Sequence, residues 1–132
     1  MLGHVSLGVR DLVRTAIFYD AVLAALGYVR LWTGEDGLGY GSAGGGEKLN
    51  IFERAGASPP GEGFHLAFEA PDRAGVDRFH AAALAHGGMD AGTPGLRPHY
   101  GARYYAAFVV DPEGTGLKRC ISSAPSVCSA LF

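Results

Sequence analysis

Two histidines, His4 and His65, sit 61 positions apart, and each opens a short strand-like run, His4-Val-Ser-Leu-Gly-Val and His65-Leu-Ala-Phe. Imidazole exchanges protons near neutral pH, donates and accepts hydrogen bonds, and ligates metals. A lone strand histidine is more often a packed or surface residue than a ligand. This pair stands above that ordinary expectation because both members take the same place in a repeated segment. A second concentration of chemistry lies in Gly95-Leu-Arg-Pro-His-Tyr-Gly-Ala-Arg-Tyr-Tyr105. Its Arg97, His99, Tyr100 and Tyr105 suit an anionic or aromatic ligand. A rim loop packed by its own aromatics explains the same composition equally well. Tyr40 and Trp32 are candidate pocket walls, and Trp32 serves equally as core.

The positioning elements follow from periodicity and breakers. Residues 4–9 read as a strand, and Asp11 as the N-cap of a helix, its carboxylate accepting free amide hydrogens of the first turn. From Leu12 to Leu26 the spacing of Val13, Ile17, Phe18, Val22, Ala25 and Leu26 gives one apolar helical face. Gly27 ends it in the left-handed conformation. Strands are expected at 28–32, 37–42 and 48–53, with Gly44-Gly45-Gly46 as a turn. Residues 55–63 read as a linker. The order then restarts: a strand at 65–68, a cap at Asp72, a helix over 73–86, a stop at Gly87-Gly88, and strands near 89–91, 103–110 and 117–122. At an offset of 61, His4 falls on His65, Asp11 on Asp72, Phe18 on Phe79, Leu23 on Leu84 and Gly27 on Gly88. These are a strand start, a cap, two helix-core sites and a stop, where a strand–helix–strand unit is most constrained. Asp11 and Asp72 are therefore caps rather than acids. His80 and His86 lie on the second helix as surface or satisfied positions. Cys120 is a small apolar strand residue, with no evident base to activate it.

The expected fold is α+β: two tandem βαβββ modules, about 1–54 and about 63–123, forming a curved mixed sheet with helices outside, all in one domain of 1–132. One such unit cannot bury its sheet face alone. Two side by side leave a concave face for a small molecule. Net charge is -2, with no basic patch, which argues against nucleic acid. No Lys/Arg run suggests a membrane surface, and no apolar run approaches the ~20 residues that span a bilayer. The opening Met-Leu-Gly-His lacks a signal-peptide layout, and two cysteines near the C-terminus make no disulfide framework. A cytoplasmic location is expected. The segment 124–132 has no assigned role.

Three segments together resemble the vicinal oxygen chelate superfamily, which includes glyoxalase I, bleomycin-resistance proteins and extradiol dioxygenases. They are His4-Val-Ser-Leu-Gly-Val-Arg-Asp-Leu with Phe18-Tyr19 and Leu26-Gly27-Tyr28; Gly63-Phe-His65-Leu-Ala-Phe-Glu-Ala-Pro-Asp72; and Tyr105-Ala-Ala-Phe-Val-Val-Asp-Pro-Glu-Gly114. The resemblance spans roughly residues 3 to 122. It implies paired βαβββ modules, often a homodimer, and a divalent metal held by one inward side chain from each of four strands. His4 and His65 match two of those positions. Asn50 stands where related members often carry Glu, and Lys118 where a carboxylate is usual.

The departures alter the chemistry. Two neutral imidazoles and a carboxylate make an open site for iron or a similar ion. An ammonium in place of the carboxylate repels the metal by several kcal/mol at ~4 Å and an effective dielectric near 20. Three readings stay open. The metal is lost, and His4, Asn50, His65 and Lys118 form a polar pocket floor for an anionic or carbonyl-bearing ligand; this follows most directly from the charge balance. The metal survives with another ligand, such as Glu113, Glu53 or a substrate oxygen. Or a desolvated Lys118 is the catalytic group, as a base or Schiff-base amine. Three functions stand beside these readings: a metal-free protein binding a small anionic or aromatic molecule, a metal-dependent lyase (lactoylglutathione-lyase-like) or dioxygenase acting on a small oxygenated substrate, and an accessory or structural dimer with a vestigial pocket.

Overall fold

The computed structural model describes residues 1–121, with side chains up to residue 117. The elements are β1 (Val5–Val9), α1 (Leu12–Ala24), β2 (Val29–Thr33), β3 (Gly37–Gly41), β4 (Glu47–Glu53), β5 (Leu66–Glu69), α2 (Arg73–Ala85), β6 (Met89–Leu96), β7 (Tyr105–Val110) and β8 (Gly116–Ile121). The α+β class and the tandem βαβββ order are as expected. The strands form two four-stranded mixed sheets, ordered β1-β4-β3-β2 and β5-β8-β7-β6. In each, the first strand runs parallel to the last of its module and the other neighbours are antiparallel. No ladder joins the two sheets among the described residues.

Both helices start as the sequence indicates. The Asp11 carboxylate accepts from Arg14 N at 2.9 Å, and that of Asp72 from Gly75 N at 2.7 Å. The stops differ by one position. Gly27 has φ +86°, but its counterpart is Gly87 at φ +93°, not Gly88. Gly88 is small for another reason: a Cβ there would lie 2.7 Å from Phe18 Cε2. The glycine lets an α1 ring close onto the second module.

One apolar core binds the two modules. Phe18, Val22, Leu23 and Ile51 of the first are buried with Phe79, Ala83, Val109 and Leu117 of the second. Phe18 and Phe79, paired by the repeat, are both fully buried. The other paired site is unequal: Leu23 is buried and Leu84 half exposed. Helix α2 packs along Val76, Phe79 and Ala83, which leaves Leu84 off the contact line. Val13 and Ile17, expected on the buried face of α1, are also exposed. That face runs through Phe18, Tyr19, Val22 and Leu23 instead.

The turn between β7 and β8 fastens the modules by polar contacts. Tyr19 Oη donates to Asp111 Oδ2 at 2.7 Å in the interior. Asp111 Oδ1 accepts from the backbone N–H groups of Glu113 and Thr115 at 2.9 and 2.8 Å. Burial pushes the Asp111 carboxyl above its ordinary value. Burial likewise raises the Tyr19 phenol, with the Asp111 charge adding to it. Glu113 pairs with Arg14 and accepts from the Arg10 N–H.

Candidate functional site

Each sheet turns one face to the core and leaves the other open. Strand alternation decides which side chains go where. In the first sheet Leu7, Val9, Leu38, Tyr40, Leu49 and Ile51 join the core. The open face therefore carries His4, Ser6, Gly37, Gly39, Gly41, Asn50 and Phe52 as the alternate positions. Strand β3 presents only glycine there. Trp32 of β2 and Asn50 of β4 are both register partners of Gly39. They reach across it, and Trp32 Nε1 donates to Asn50 Oδ1 at 3.1 Å. A Cβ on Gly39 would lie 2.1 Å from Trp32 Nε1 and 2.5 Å from Asn50 Oδ1. Phe52 lies over Gly37 in the same way and packs its ring 5.8 Å from that of Trp32.

The open face of the second sheet is built around Phe108. The β6–β7 loop folds over it, closed at its base by Arg97 N donating to Tyr104 O at 2.7 Å. Ala91, Arg97, His99, Tyr100 and Phe108 line an open pocket of about 300 Å³. The Arg97 guanidinium stands 5.5 Å above the Phe108 ring, tethered by Nη2 to Thr93 O at 2.7 Å. His99 and Tyr100 pack ring on ring at 4.1 Å, and Tyr100 meets Tyr104 at 5.2 Å. A half-buried guanidinium beside aromatic rings attracts planar anions by charge, by the donors its tethers leave over, and by stacking. The sequence pointed to Arg97, His99 and Tyr100, and the structure brings them together. Phe108 is the addition; its strand position opposite the loop was the available signal.

Tyr40 and Tyr105 stand elsewhere. Alternation turns both to the helix sides of their sheets. Tyr40 Oη donates to Asp20 Oδ1 at 2.9 Å, and burial raises its phenol well above the ordinary value. It lines an apolar cavity of about 220 Å³ between the modules, with Leu23, Tyr28, Leu49 and Phe68. Tyr105 Oη donates to Asp77 of α2 at 2.7 Å, with the Arg73 guanidinium over its ring. His80 Nε2 pairs with Asp90 at 2.8 Å, a contact that draws the Asp90 carboxyl below its ordinary value. His86 Nδ1 bonds Ala82 O. The side chains of Lys118 and Cys120 lie outside the described residues; the Lys118 backbone pairs with Ala67 and Phe108.

The donor set does not fit the metal that the sequence resemblance implies. His4 and His65 each precede the first strand of a different sheet. Asn50 Oδ1, the atom a metal would need, already accepts from Trp32. The two alternative carboxylates are engaged: Glu113 with Arg14, and Glu53 accepting from Leu12 N at 2.9 Å. Among the described residues no three His, Cys, Asp or Glu side chains cluster as a metal site.

Among the described residues no helix is long and apolar enough to cross a membrane. No curated protein matches the chain. Solved structures do. A glyoxalase/bleomycin resistance protein from Albidiferax ferrireducens T118 is 32% identical, with a TM-score of 0.78 over 91% of this chain and 97% of that one. A putative glyoxalase from Bacillus halodurans is 25% identical, with a TM-score of 0.68 over 91% and 94%. A bleomycin resistance determinant encoded on the transposon Tn5 shares the fold at 22% identity, with a TM-score of 0.63 over 94% and 99%. A family model matches residues 1–118. The chain belongs to the Glyoxalase/Bleomycin resistance protein/Dioxygenase superfamily.

Proposed function

We propose that this protein binds a small anionic or aromatic molecule without a metal ion. The observation that carries this is the pocket of Arg97, His99, Tyr100 and Phe108, which combines a tethered guanidinium with an aromatic floor. The sequence puts an ammonium, Lys118, where the resemblance implies a carboxylate, and such a charge opposes a metal. His4 and His65, one before the first strand of each sheet, are further polar groups of the open faces. The engagement of Asn50, Glu53 and Glu113 in other contacts supports this over metal-assisted turnover. Two copies of the chain work together. Among the described residues, strands β1 and β5 end their sheets with no strand on their outer sides, and a second copy covers such edges at low cost.

Benzoate, a planar anion, is the simplest probe. It should raise the melting temperature of the folded protein in proportion to occupancy, equally with and without EDTA. Arg97→Ala should abolish the shift. A shift that needs added metal, or one that survives Arg97→Ala, contradicts the proposal. Light scattering at the same concentrations should give the mass of a dimer; a monomer that still binds benzoate would leave the pocket and remove the second copy.

A further inference from the structure

The open face of the first sheet holds a polar group in an unusual state. Asn50 is only 6% exposed. Its amide could in principle face either way, but the indole N–H of Trp32 is a donor only. The 3.1 Å contact therefore fixes Oδ1 towards Trp32 and aims Nδ2 away from it. No described residue accepts from that Nδ2. A nearly buried donor without an acceptor is costly to keep and is satisfied by whatever brings one. The surroundings select the shape of that partner. Gly37 and Gly39 carry no side chain, so the Trp32 and Phe52 rings lie down against the strand. Ser6, the register partner of Asn50 on β1, is small and exposed. A flat molecule meets rings and an amide N–H here, with the nearest charge, the Arg54 guanidinium 5.3 Å over the Phe52 ring, already paired with Asp36.

We infer that Trp32 locks Asn50 as a hydrogen-bond donor, and that the Trp32–Asn50–Phe52 face recognises a planar ring bearing a carbonyl or ring-nitrogen acceptor. This rests on the reading that the open sheet faces bind small molecules, but it concerns a different face and a neutral contact. It also gives position 50 a role opposed to metal ligation, since the lone-pair atom is occupied and the remaining amide nitrogen is a donor.

The test uses three neutral probes of nearly one size: acetophenone, cyclohexyl methyl ketone and ethylbenzene. The first has a flat ring and an acceptor, the second only the acceptor, the third only the ring. Trp32 is the single tryptophan, so its indole N–H gives one assignable ¹⁵N signal, followed together with the Asn50 side-chain amide. Acetophenone should move both signals saturably, and each of the others should bind about tenfold more weakly, ethylbenzene because it leaves the amide donor unpaired and the cyclohexyl ketone because it has no flat ring to stack on Trp32 and Phe52. Asn50→Asp keeps an acceptor for Trp32 and removes the donor, and should lose about tenfold for acetophenone. Trp32→Phe keeps a ring and frees the amide to turn, and should lose the preference for acetophenone over ethylbenzene. Equal shifts with ethylbenzene, undiminished binding by both variants, or no saturable shift with acetophenone up to its solubility would each overturn the inference. Arg97→Ala leaves these signals unaffected. Failure of benzoate with success of acetophenone removes the anion pocket alone, and the reverse removes this site alone.

Discussion

The two modules agree on their helix sides and differ on their open faces. Asp11 and Asp72 cap equivalent helices, and Phe18 and Phe79 fill equivalent core sites. The open faces share no such pairing. The first is paved with glycine and carries a neutral Trp32–Asn50 contact; the second is covered by a loop that brings a guanidinium over Phe108. Packing fixes the core side, because each buried ring is held by many neighbours. The open side is constrained by what lands on it. Within one duplicated frame, the repeated caps and core rings build the fold, and most of the groups of the proposed binding faces do not repeat.

Substitutions can break this comparison at either side. The largest effect is expected in the shared frame: Phe18→Ala and Phe79→Ala should each cost about 3–5 kcal/mol in urea denaturation. A marked inequality would mean that one module carries the core alone. Gly88→Ala should cost about 1–3 kcal/mol, because its Cβ meets Phe18 and a packed core resists insertion. Alkaline unfolding probes the fastening between modules. The raised Tyr19 phenol contributes stability that is whole below pH ~10 and lost as pH rises through its higher folded value. Tyr19→Phe should therefore flatten the decline in stability above pH ~10; an unchanged slope would place that ionisation elsewhere. The raised Asp111 carboxyl has the same sign at lower pH: its contribution is whole below ~3.9 and lost as pH rises through the folded value. Asp111→Asn should gain on the parent as pH rises across that window. The smallest stability effect is at the open face, where Arg97→Ala should stay within about 0.5 kcal/mol of the parent while losing benzoate.

Much of the frame was legible in the sequence. Caps, a stop glycine and period-specific apolar spacing carry local physics, so strand and helix order came through to within a few residues at most ends. Strand β6 is the main exception. The sequence places it near 89–91 with a loop from Gly95, yet the strand runs through Pro94 to Leu96, because β6 is an edge strand with shifted pairing at Gly92 and Gly95, where proline costs no ladder bond. Val13, Ile17 and Leu84 were assigned to buried faces, since periodicity reports an apolar stripe but not which part of it meets a neighbour. The site was legible in part. Arg97, His99 and Tyr100 announced themselves by composition. Tyr40 and Tyr105 did too, but the face each occupies depends on register, and alternation sent them to the helix side. The Trp32–Asn50 contact needs three strands in register and was beyond reach from one-dimensional spacing, although the alternate glycines of Gly37-Leu-Gly-Tyr-Gly41 marked the strand that permits it.

The central claim is that ligand binding here proceeds without a metal. The most direct measurement is the metal content of protein purified without chelator or affinity tag, followed by calorimetric titration with Fe(II), Mn(II), Ni(II) and Zn(II). The account predicts no stoichiometric metal and no tight binding in the parent, with affinity rising in Lys118→Glu. Stoichiometric, tight binding to the parent that is lost in His4→Ala and His65→Ala would contradict it.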